Sequence, residues 1–258
     1  TIIQNPMTDY IFKDHFSIQS SDYQKFRPIY PDKLYHFLAK ASPANECAWD
    51  CATGNGQAAV GLSQYFKRVI ATDASSNQLA HAMKAPNIHY QLAAAEQAQI
   101  TDNSIDLITV AQALHWFDID VFYSVAKRAL KNEGIIAIWS YKLLSISSDI
   151  DQIIHHLYAN ILGQYWPTER HLIESNYRDI PFPFQRINCP KFTMQTQWSL
   201  HQLTGYLQTW SAVQSYIAAH KMNPVQLVLP DLISAWGNTD DLKIITWPLH
   251  LMIGQHHN

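Results

Sequence analysis

Short apolar runs alternate with helical patterns between residues 47 and 140, and this alternation restricts the possible folds more than any other feature of the chain. The apolar runs occupy residues 47–51, 68–73, 87–92, 104–110 and 134–139. The helical patterns occupy residues 57–66, 75–84 and 120–130. Continuous apolar strands separated by helices are typical of a parallel sheet covered on both faces. Residues 47–140 are therefore expected to form an α/β core.

The residues outside this core predict one helix before it and a mainly helical region after it. Residues 1–46 begin as a polar arm, and Pro31 then opens a helix, because proline suits the first helical turn. Residues 141–241 form an aromatic-rich cap. Its predicted elements are helices at 149–180, 199–221 and 224–236 and a strand at 184–194. Residues 242–258 hold a last strand and a tail, and Pro248 favours an edge or a bulge because proline donates no ladder hydrogen bond.

Charge and hydropathy argue against several classes of partner. The net charge is −3, and no run of Lys and Arg is longer than two residues, whereas nucleic-acid-binding domains usually present a basic face. No window approaches the roughly 18 uncharged apolar residues of a membrane span. The beginning of the chain lacks the basic segment and apolar core of a signal peptide. We expect neither nucleic acid nor membrane as a partner.

The three cysteines, Cys47, Cys51 and Cys189, do not form a disulfide framework, because their number is odd and they are not closely paired. Cys47 and Cys51 have no second Cys/His pair nearby, so a zinc site is not expected either. We assign no metal to the chain. A cytoplasmic location is the expectation, because free thiols are typical of reducing compartments.

A glycine-bearing loop follows the first apolar run, in the sequence Asp-Cys-Ala-Thr-Gly-Asn-Gly over residues 50–56. Gly54 and Gly56 allow a sharp turn and a close approach of a ligand to the backbone. The helix that follows presents free N–H groups. Residues 54–59 also fit the dinucleotide pattern G-x-G-x-x-G/A, which alone is a weak signal because such loops are often only turns.

An acid at the end of the second run strengthens the ligand interpretation. Asp73 can accept both hydroxyls of a ribose, or it can complement the dipole of the next helix. Together with the glycine loop it favours an adenosine ligand, either a nicotinamide dinucleotide or S-adenosylmethionine (SAM). Asp50 favours SAM, because an acid beside the loop repels a pyrophosphate and attracts an ammonium group. Ala95 and Glu96 follow the third run, where an adenine edge would lie.

Four segments resemble successive motifs of class I SAM-dependent methyltransferases. They are D-C-A-T-G-N-G from residue 50, A-T-D from residue 71, A-E-Q-A from residue 95 and N-S-I-D-L-I-T-V-A-Q-A-L-H-W-F-D from residue 103. They are most similar to the small-molecule group with the type 11 domain. Residues 111–118 and the segment F-R-P-I-Y-P at 26–31 resemble the trans-aconitate methyltransferase-like subgroup. The resemblance covers residues 16–140 well and the cap only loosely.

The resemblance implies a Rossmann-like sheet of seven mostly parallel strands, one of them antiparallel, with a helical C-terminal insertion as a cap. It implies that SAM is the cofactor and that residues 1–46 act as a lid over it. The implied cofactor residues are Asp50, Gly54 and Gly56 for the methionine part, Asp73 for the ribose, Ala95 and Glu96 for the adenine, and Gln112 beside the sulfonium. His115, Tyr23 and Arg27 are candidates for a catalytic role.

The expected activity is methyl transfer to a small molecule by a monomer or homodimer. The nearest family analogy suggests a carboxylic acid methylated on oxygen, held by cations and aromatic side chains. The candidate cations are Arg27, Lys142, Arg170, Arg178 and Arg186, and the candidate aromatic residues are Tyr158, Tyr165, Trp166, Tyr177 and Trp210. Two alternatives remain open: a SAM-binding module without turnover, and a nicotinamide-dependent oxidoreductase.

Overall fold

A computed structural model describes residues 27–257, and a mostly parallel sheet lies at its centre. The strands are β1 Cys47–Cys51, β2 Arg68–Asp73, β3 Ile88–Leu92, β4 Ile105–Ala111, β5 Leu130–Tyr141, β6 Gln185–Arg186, β7 Thr193–Trp198 and β8 Lys243–Gln255. Their order is β3-β2-β1-β4-β5-β8-β6, and β7 also pairs with β8. Strand β8 runs antiparallel to β5, β6 and β7. The predicted α/β sheet with one antiparallel strand near the C-terminus is confirmed, and β7 is an additional strand.

Helices cover both faces of this sheet. They are α1 Asp32–Ala41, α2 Gln57–Ser63, α3 Ser76–Ala80, α4 Ile119–Ala129, α5 Ser148–His155, α6 Arg170–Glu174, α7 Leu200–Gln208, α8 Ser211–His220 and α9 Val225–Trp236. Successive strand residues point to opposite faces, so Ala48 joins one core with α1, α2 and the cap helices, and Trp49 joins a second core with α4. Both faces of β1, β2 and β4 are buried, which explains why these strands are largely apolar. No helix within residues 27–257 is long and apolar enough to cross a membrane.

Two helices of the core are shorter than their sequence patterns predicted. Helix α2 ends at Ser63 instead of residue 66, and α3 ends at Ala80 instead of residue 84. After α3 the backbone N–H of Met83 donates to the carbonyl of Asn55 at 2.9 Å, which draws the chain towards the β1 loop. The predicted N-cap of α3 is confirmed, since the Ser75 side chain accepts the N–H of Gln78.

Helix α4 lies within one residue of its predicted bounds, but its buried face is rotated. The sequence placed Val121 towards the core, and the structure leaves it 44% exposed and buries Tyr123 instead. Asp118 caps the helix by accepting the N–H of Val121. The Tyr123 ring packs edge-on against Phe184, a residue from the cap region, so a distant contact decides which face is buried.

The predicted strand at 184–194 is wrong, whereas Pro248 pairs with β7 only and is locally at an edge, in agreement with the prediction. Residues 185–186 and 193–198 form two separate strands that pair with opposite ends of β8. Strand β8 lies inside the sheet, and its ladder with β5 begins only at Leu249. In an antiparallel ladder, the backbone N–H groups of successive residues point to alternate sides of the strand. A residue with an N–H at position 248 would point it towards β5, just beyond the end of the β5 ladder. A proline is tolerated there because no strand partner is lost.

The cap contains helices as predicted, but residues 149–180 do not form one continuous helix. Helix α5 continues into a π-helical turn at His156–Ile161, and a 3-10 turn at Gly163–Tyr165 follows. Pro167 then separates this turn from α6, because proline interrupts helical hydrogen bonding. The irregular segment between α5 and α6 brings cap side chains to the carboxyl edge of the sheet.

Candidate functional site

A cavity of about 540 Å³ lies at the carboxyl ends of β1 to β4 and is called the first cavity here. Ligands of open α/β sheets bind at this edge, because the loops after parallel strands meet there. Of the predicted cofactor residues, those that line it are Gly54, Asp73, Ala95, Glu96 and Gln112. Arg27, a catalytic candidate, also lines it. Asp50 and Gly56 do not belong to the described lining.

The two predicted glycines have different tasks in the loop after β1. Both have positive φ angles, +56° at Gly54 and +81° at Gly56. A Cβ on Gly54 would meet only Gln78 Oε1, at 4.0 Å, so the space beside Gly54 is open to the cavity. A Cβ on Gly56 would lie 2.2 Å from the Tyr90 hydroxyl oxygen. Gly54 thus provides clearance in the cavity wall, whereas Gly56 provides clearance for packing underneath it.

Asp50 lies below the loop, is fully buried and does not line the first cavity, so its expected role at the methionine part stays a prediction. Its Oδ2 accepts the hydroxyl of Thr53 at 2.5 Å, and its Oδ1 accepts the hydroxyl of Thr109 at 2.7 Å. Burial raises its pKa to about 6, although the two hydroxyl hydrogen bonds act in the opposite direction. Asp50 therefore ties the glycine loop to β4 from beneath.

Asp73 ends β2 at the wall of the first cavity. Its Oδ2 accepts the N–H of Gly54 at 2.8 Å, and its Oδ1 accepts the N–H of Ser75 at 2.8 Å. These bonds hold the carboxylate in one orientation. Each carboxylate oxygen has lone pairs for more than one donor, so both can also accept a ribose hydroxyl. The ribose role remains a prediction, and the position of the carboxylate suits it.

Ala95 and Glu96 lie on a 3-10 turn, Ala95–Gln97, directly after β3. Glu96 Oε1 accepts the backbone N–H of Asp118 at 2.8 Å, which joins this turn to the start of α4. Trp116 and Phe117 line the same cavity from the loop after β4. The predicted adenine residues therefore lie beside aromatic side chains, on which a flat base can stack.

Gln112 directly follows β4 and has a left-handed conformation, with φ of +55°. Its side chain pairs with the backbone of Tyr141: Nε2 donates to the carbonyl at 3.1 Å, and Oε1 accepts the N–H at 3.1 Å. Left-handed backbone is costly for a residue with a Cβ, and the two hydrogen bonds offset that cost. Gln112 lies where the sequence placed it, but its polar atoms hold the ends of β4 and β5 together.

A second cavity, of about 460 Å³, adjoins the first. Arg27, Gln112 and Trp116 line both cavities. Three of the predicted aromatic side chains line the second one: Tyr165, Trp166 and Trp210. Of the five predicted cations, Arg27, Lys142 and Arg170 line it, and Arg178 and Arg186 do not. Tyr158 and Tyr177 do not belong to the described lining, but each contacts a residue that does, Trp166 and His115 respectively.

His115 lines the second cavity as a neutral imidazole. Burial, reinforced by the positive charge of Arg170, lowers the pKa of His115 to about 3. Its Nδ1 lies 3.0 Å from the hydroxyl oxygen of Tyr177, which is almost fully buried. If that hydroxyl donates to Nδ1, no buried donor of Tyr177 is left unpaired. This assignment leaves the proton of His115 on Nε2.

Glu169 is one of the cavity residues that the sequence did not predict. Glu169 lines the first cavity from the segment before α6, although it belongs to the cap and to no motif. No local pattern signals this position, because the fold of the cap brings the segment to the sheet edge. Tyr23, a catalytic candidate, lies outside the described residues. Within residues 27–257, no group of three or more His, Cys, Asp and Glu side chains could hold a metal ion.

The residues that line the first cavity fit SAM, the cofactor that the sequence implies. Asp73 can bind a ribose, the turn at Ala95 and Glu96 borders a place for a base, and the absence of a side chain at Gly54 leaves room beside them. The cavity volume of about 540 Å³ falls in the range of small-molecule sites. The chain therefore offers a site of suitable size and polarity for an adenosine derivative.

Comparison with known proteins shows the family. The family model of a methyltransferase domain matches residues 49–138. A protein of Dictyostelium discoideum named as a methyltransferase is 36% identical over 251 residues, which are 95% of each chain. A solved structure described as a type II methyltransferase, from Anaeromyxobacter dehalogenans, has a TM-score of 0.85 at 35% identity. It covers 90% of this chain and 100% of its own.

A third similar protein has a more specific name, but its similarity to this chain covers a shorter region. A Saccharomyces cerevisiae protein named as an S-adenosylmethionine-dependent methyltransferase is 30% identical over 145 residues. These residues are 53% of this chain and 49% of that protein. The similarity to the Dictyostelium protein, in contrast, extends through the cap. From the matched domain, the nearly full-length similarity and the common fold, the chain belongs to the methyltransferase family and is a SAM-dependent methyltransferase.

Proposed function

We propose that the chain transfers the methyl group of SAM to the carboxylate oxygen of a small, partly apolar acid. The observation that carries this proposal is the separation of charge between the cavities. The second cavity is lined by Arg27, Lys142 and Arg170, and its described lining contains no Asp or Glu. Six of the other lining residues are Trp or Tyr, and such aromatic walls are common in small-molecule sites. An anionic acceptor with an apolar body matches both properties.

Arg170 is the best-placed cation for such an acid. Its guanidinium lies 4.8 Å from the ring centre of Trp166 and 5.6 Å from that of Tyr158. Its Nε donates to the Tyr158 hydroxyl at 3.0 Å. Within residues 27–257 it forms no salt bridge, and Glu174 reaches it only through the Tyr158 hydroxyl. A rigidly held cation of this kind can bind a carboxylate with little loss of side-chain entropy.

The reaction needs alignment more than proton transfer. SAM supplies an activated methyl group on a positively charged sulfur. A carboxylate is already ionised at pH 7 and requires no general base. As the oxygen–carbon bond forms, the carbon–sulfur bond breaks, and the products are a methyl ester and a neutral thioether. Gln112 and Trp116 lie in the walls of both cavities, where they can fix the line between acceptor and donor.

A labelled-SAM screen over small acids, phenols, amines and RNA tests the proposal. We expect label in small acids, released as methanol by mild base because the product is an ester. Arg170→Met is expected to lower kcat/KM for the acid by about 10- to 100-fold and to leave SAM affinity unchanged. Arg178→Met is the matched control, since Arg178 lines neither cavity. Label in RNA or amines, with no small acid labelled, would overturn the proposal.

The remaining expectations about this chain belong to the same proposal. A small-molecule acceptor agrees with the volume of the second cavity, and the net charge of −3 favours no polyanion. A cytoplasmic location and a monomeric or homodimeric state stay predictions. Subcellular fractionation and light scattering of the purified protein are the measurements that address them.

A further inference from the structure

Glu169 and Arg170 are neighbours in the chain, but they line different cavities. Glu169 belongs to the wall of the first cavity, whereas Pro167 and Arg170 belong to the wall of the second. Residues 167–170 therefore form part of the partition between the cofactor side and the acceptor side. The cap, and not the sheet, supplies this part of the cofactor cavity.

The carboxylate of Glu169 is available to a ligand. Within residues 27–257 it forms no ion pair and no side-chain hydrogen bond, and the residue is only partly exposed. The other two acids of the cavity, Asp73 and Glu96, are engaged by backbone N–H groups. A half-buried carboxylate loses part of its hydration, and here no described hydrogen bond or ion pair replaces it. A cationic ligand group beside the carboxylate would supply that interaction.

Glu169 also lies beside the second cavity. Its neighbour Arg170 lies close enough to lower the pKa of His115, which lines the second cavity. Because Glu169 lines the first cavity and Arg170 lines the second, Glu169 lies where the walls of the two cavities meet. With the adenosine part at Asp73, the amino-acid part of SAM could extend towards this junction.

We propose that Glu169 binds the ammonium group of the amino-acid end of SAM and thereby makes the cap part of the cofactor site. An ammonium offers three N–H donors to a carboxylate, whereas a sulfonium offers none. Because Arg170 is the next residue, a bound cofactor also fixes one wall of the acceptor cavity. The inference rests on the SAM-dependent activity and does not depend on an acid acceptor.

Three adenosine ligands separate the possible contacts of Glu169. SAM has the sulfonium and the ammonium, S-adenosylhomocysteine has only the ammonium, and 5′-methylthioadenosine has neither. We expect Glu169→Gln to weaken SAM and S-adenosylhomocysteine by a similar factor of about ten and to leave 5′-methylthioadenosine unchanged in calorimetry. Asp179→Asn is the matched control, because Asp179 is exposed, close in sequence and absent from both cavity walls.

Hydrogen exchange provides a second readout that needs no acceptor. SAM is expected to protect backbone amides of residues 167–174 in the wild type and in Asp179→Asn, and to protect them less in Glu169→Gln. Equal melting temperatures of the free variants would show that the fold is intact. Weakening of SAM alone would assign the contact to the sulfonium, and equal weakening of all three ligands would indicate packing. Either result, or no change at all, overturns the ammonium assignment.

Discussion

At the scale of single residues, two aspartates near the ends of neighbouring strands have different tasks because their surroundings differ. Asp73 lies at the cavity wall and is oriented by backbone N–H groups, whereas Asp50 is fully buried under the loop and is held by two threonine hydroxyls. Both belong to motifs that the sequence assigned to the cofactor. Of the two, Asp73 lines the first cavity, and Asp50 supports the glycine loop from beneath.

Replacing Asp73 with Ala is expected to weaken SAM binding by roughly 1.5–3 kcal/mol, the scale for loss of a charge-assisted hydrogen-bond partner. Asp73→Asn keeps one acceptor oxygen and is expected to have an intermediate effect. Isothermal calorimetry measures both, and circular dichroism shows whether the fold is kept. Unchanged SAM affinity in the Ala variant would remove the ribose assignment.

The two loop glycines give a pair of opposite expectations. Gly54→Val should abolish SAM binding but leave a folded protein, because the side chain enters the cavity and the left-handed backbone costs only about 1–2 kcal/mol. Gly56→Ala should lower the melting temperature instead, since its Cβ collides with the Tyr90 hydroxyl. Thermal unfolding and SAM titration of both variants separate these effects. Normal SAM binding by Gly54→Val would show that the cofactor lies elsewhere.

Asp50 predicts a specific pH dependence of stability. Its pKa in the folded protein is about 6, above the ordinary value near 4, so the folded state keeps a proton that the unfolded state has lost between these pH values. Its contribution to the free energy of unfolding therefore falls as pH rises from about 4 to 6, by roughly 3 kcal/mol. His115 contributes with the opposite sign, because its folded pKa is lowered and stability is lost as pH falls.

Urea unfolding of the wild type and of Asp50→Asn at pH 4.5, 6 and 7.5 isolates this effect. The contribution of His115 is common to both proteins and cancels in the difference. The wild type is expected to lose stability relative to the variant as the pH rises. A difference that stays constant across this range would show that Asp50 has an ordinary pKa.

At the scale of elements, the loops after the parallel strands build the site, and long-range hydrogen bonds hold them in place. The Gln112 side chain joins the loop after β4 to the end of β5, and Glu96 joins the turn after β3 to α4. Neither connection involves residues that are close in sequence. The shape of the cavity therefore depends on the relative positions of strands as well as on each loop motif.

The segment before α1 determines how many N-terminal residues can be deleted in a test of the predicted lid. Tyr30 is buried, and its ring lies edge-on to Trp139 at 5.4 Å, so a deletion through residue 30 would remove a core contact. A deletion of residues 1–26 keeps this contact. We expect that variant to stay folded and to lose methyl transfer by about tenfold or more, since a lid excludes water and orders the substrates. Full activity with an unchanged melting temperature would contradict the lid.

At the scale of the whole molecule, two adjoining cavities differ in charge and are joined by shared side chains. The first is lined by Asp73, Glu96 and Glu169, the second by Lys142 and Arg170 without a described acid, and Arg27 lines both. A cationic donor and an anionic acceptor are therefore drawn to opposite sides of the junction. The cap helices make this arrangement possible, because they bring Glu169 and Arg170 to the sheet edge.

Ligand binding is expected to stabilise the folded protein measurably. A ligand at 100 times its Kd adds about 2.7 kcal/mol, which raises the melting temperature of a chain of this size by roughly 5–10 °C. SAM and S-adenosylhomocysteine should produce this shift, and NAD and NADP should not. A comparable shift with a nicotinamide dinucleotide would revive the oxidoreductase interpretation of the glycine loop.

The sequence by itself determined the order of the core elements, the glycine loop and the positions of Asp73, Ala95 and Glu96 at one sheet edge. These features follow from local periodicity and from residues that directly follow a strand, so neighbouring residues are enough to predict them. It also predicted that Arg170 and several cap aromatics belong to a pocket, although it chose them from a larger set of candidates.

Only the tertiary structure decided the features that depend on contacts between distant segments. The fold of the cap places Arg170, but neither Arg178 nor Arg186, in the wall of the second cavity. It also places Glu169 in the wall of the first cavity. Packing against Phe184 buried Tyr123 in place of Val121. Asp50 lies beneath the loop because the hydroxyl groups of Thr53 in the loop and Thr109 in β4 donate hydrogen bonds to it there. The hydrophobic and hydrogen-bonding preferences of a residue are local, but the partners that satisfy them are set by the whole fold.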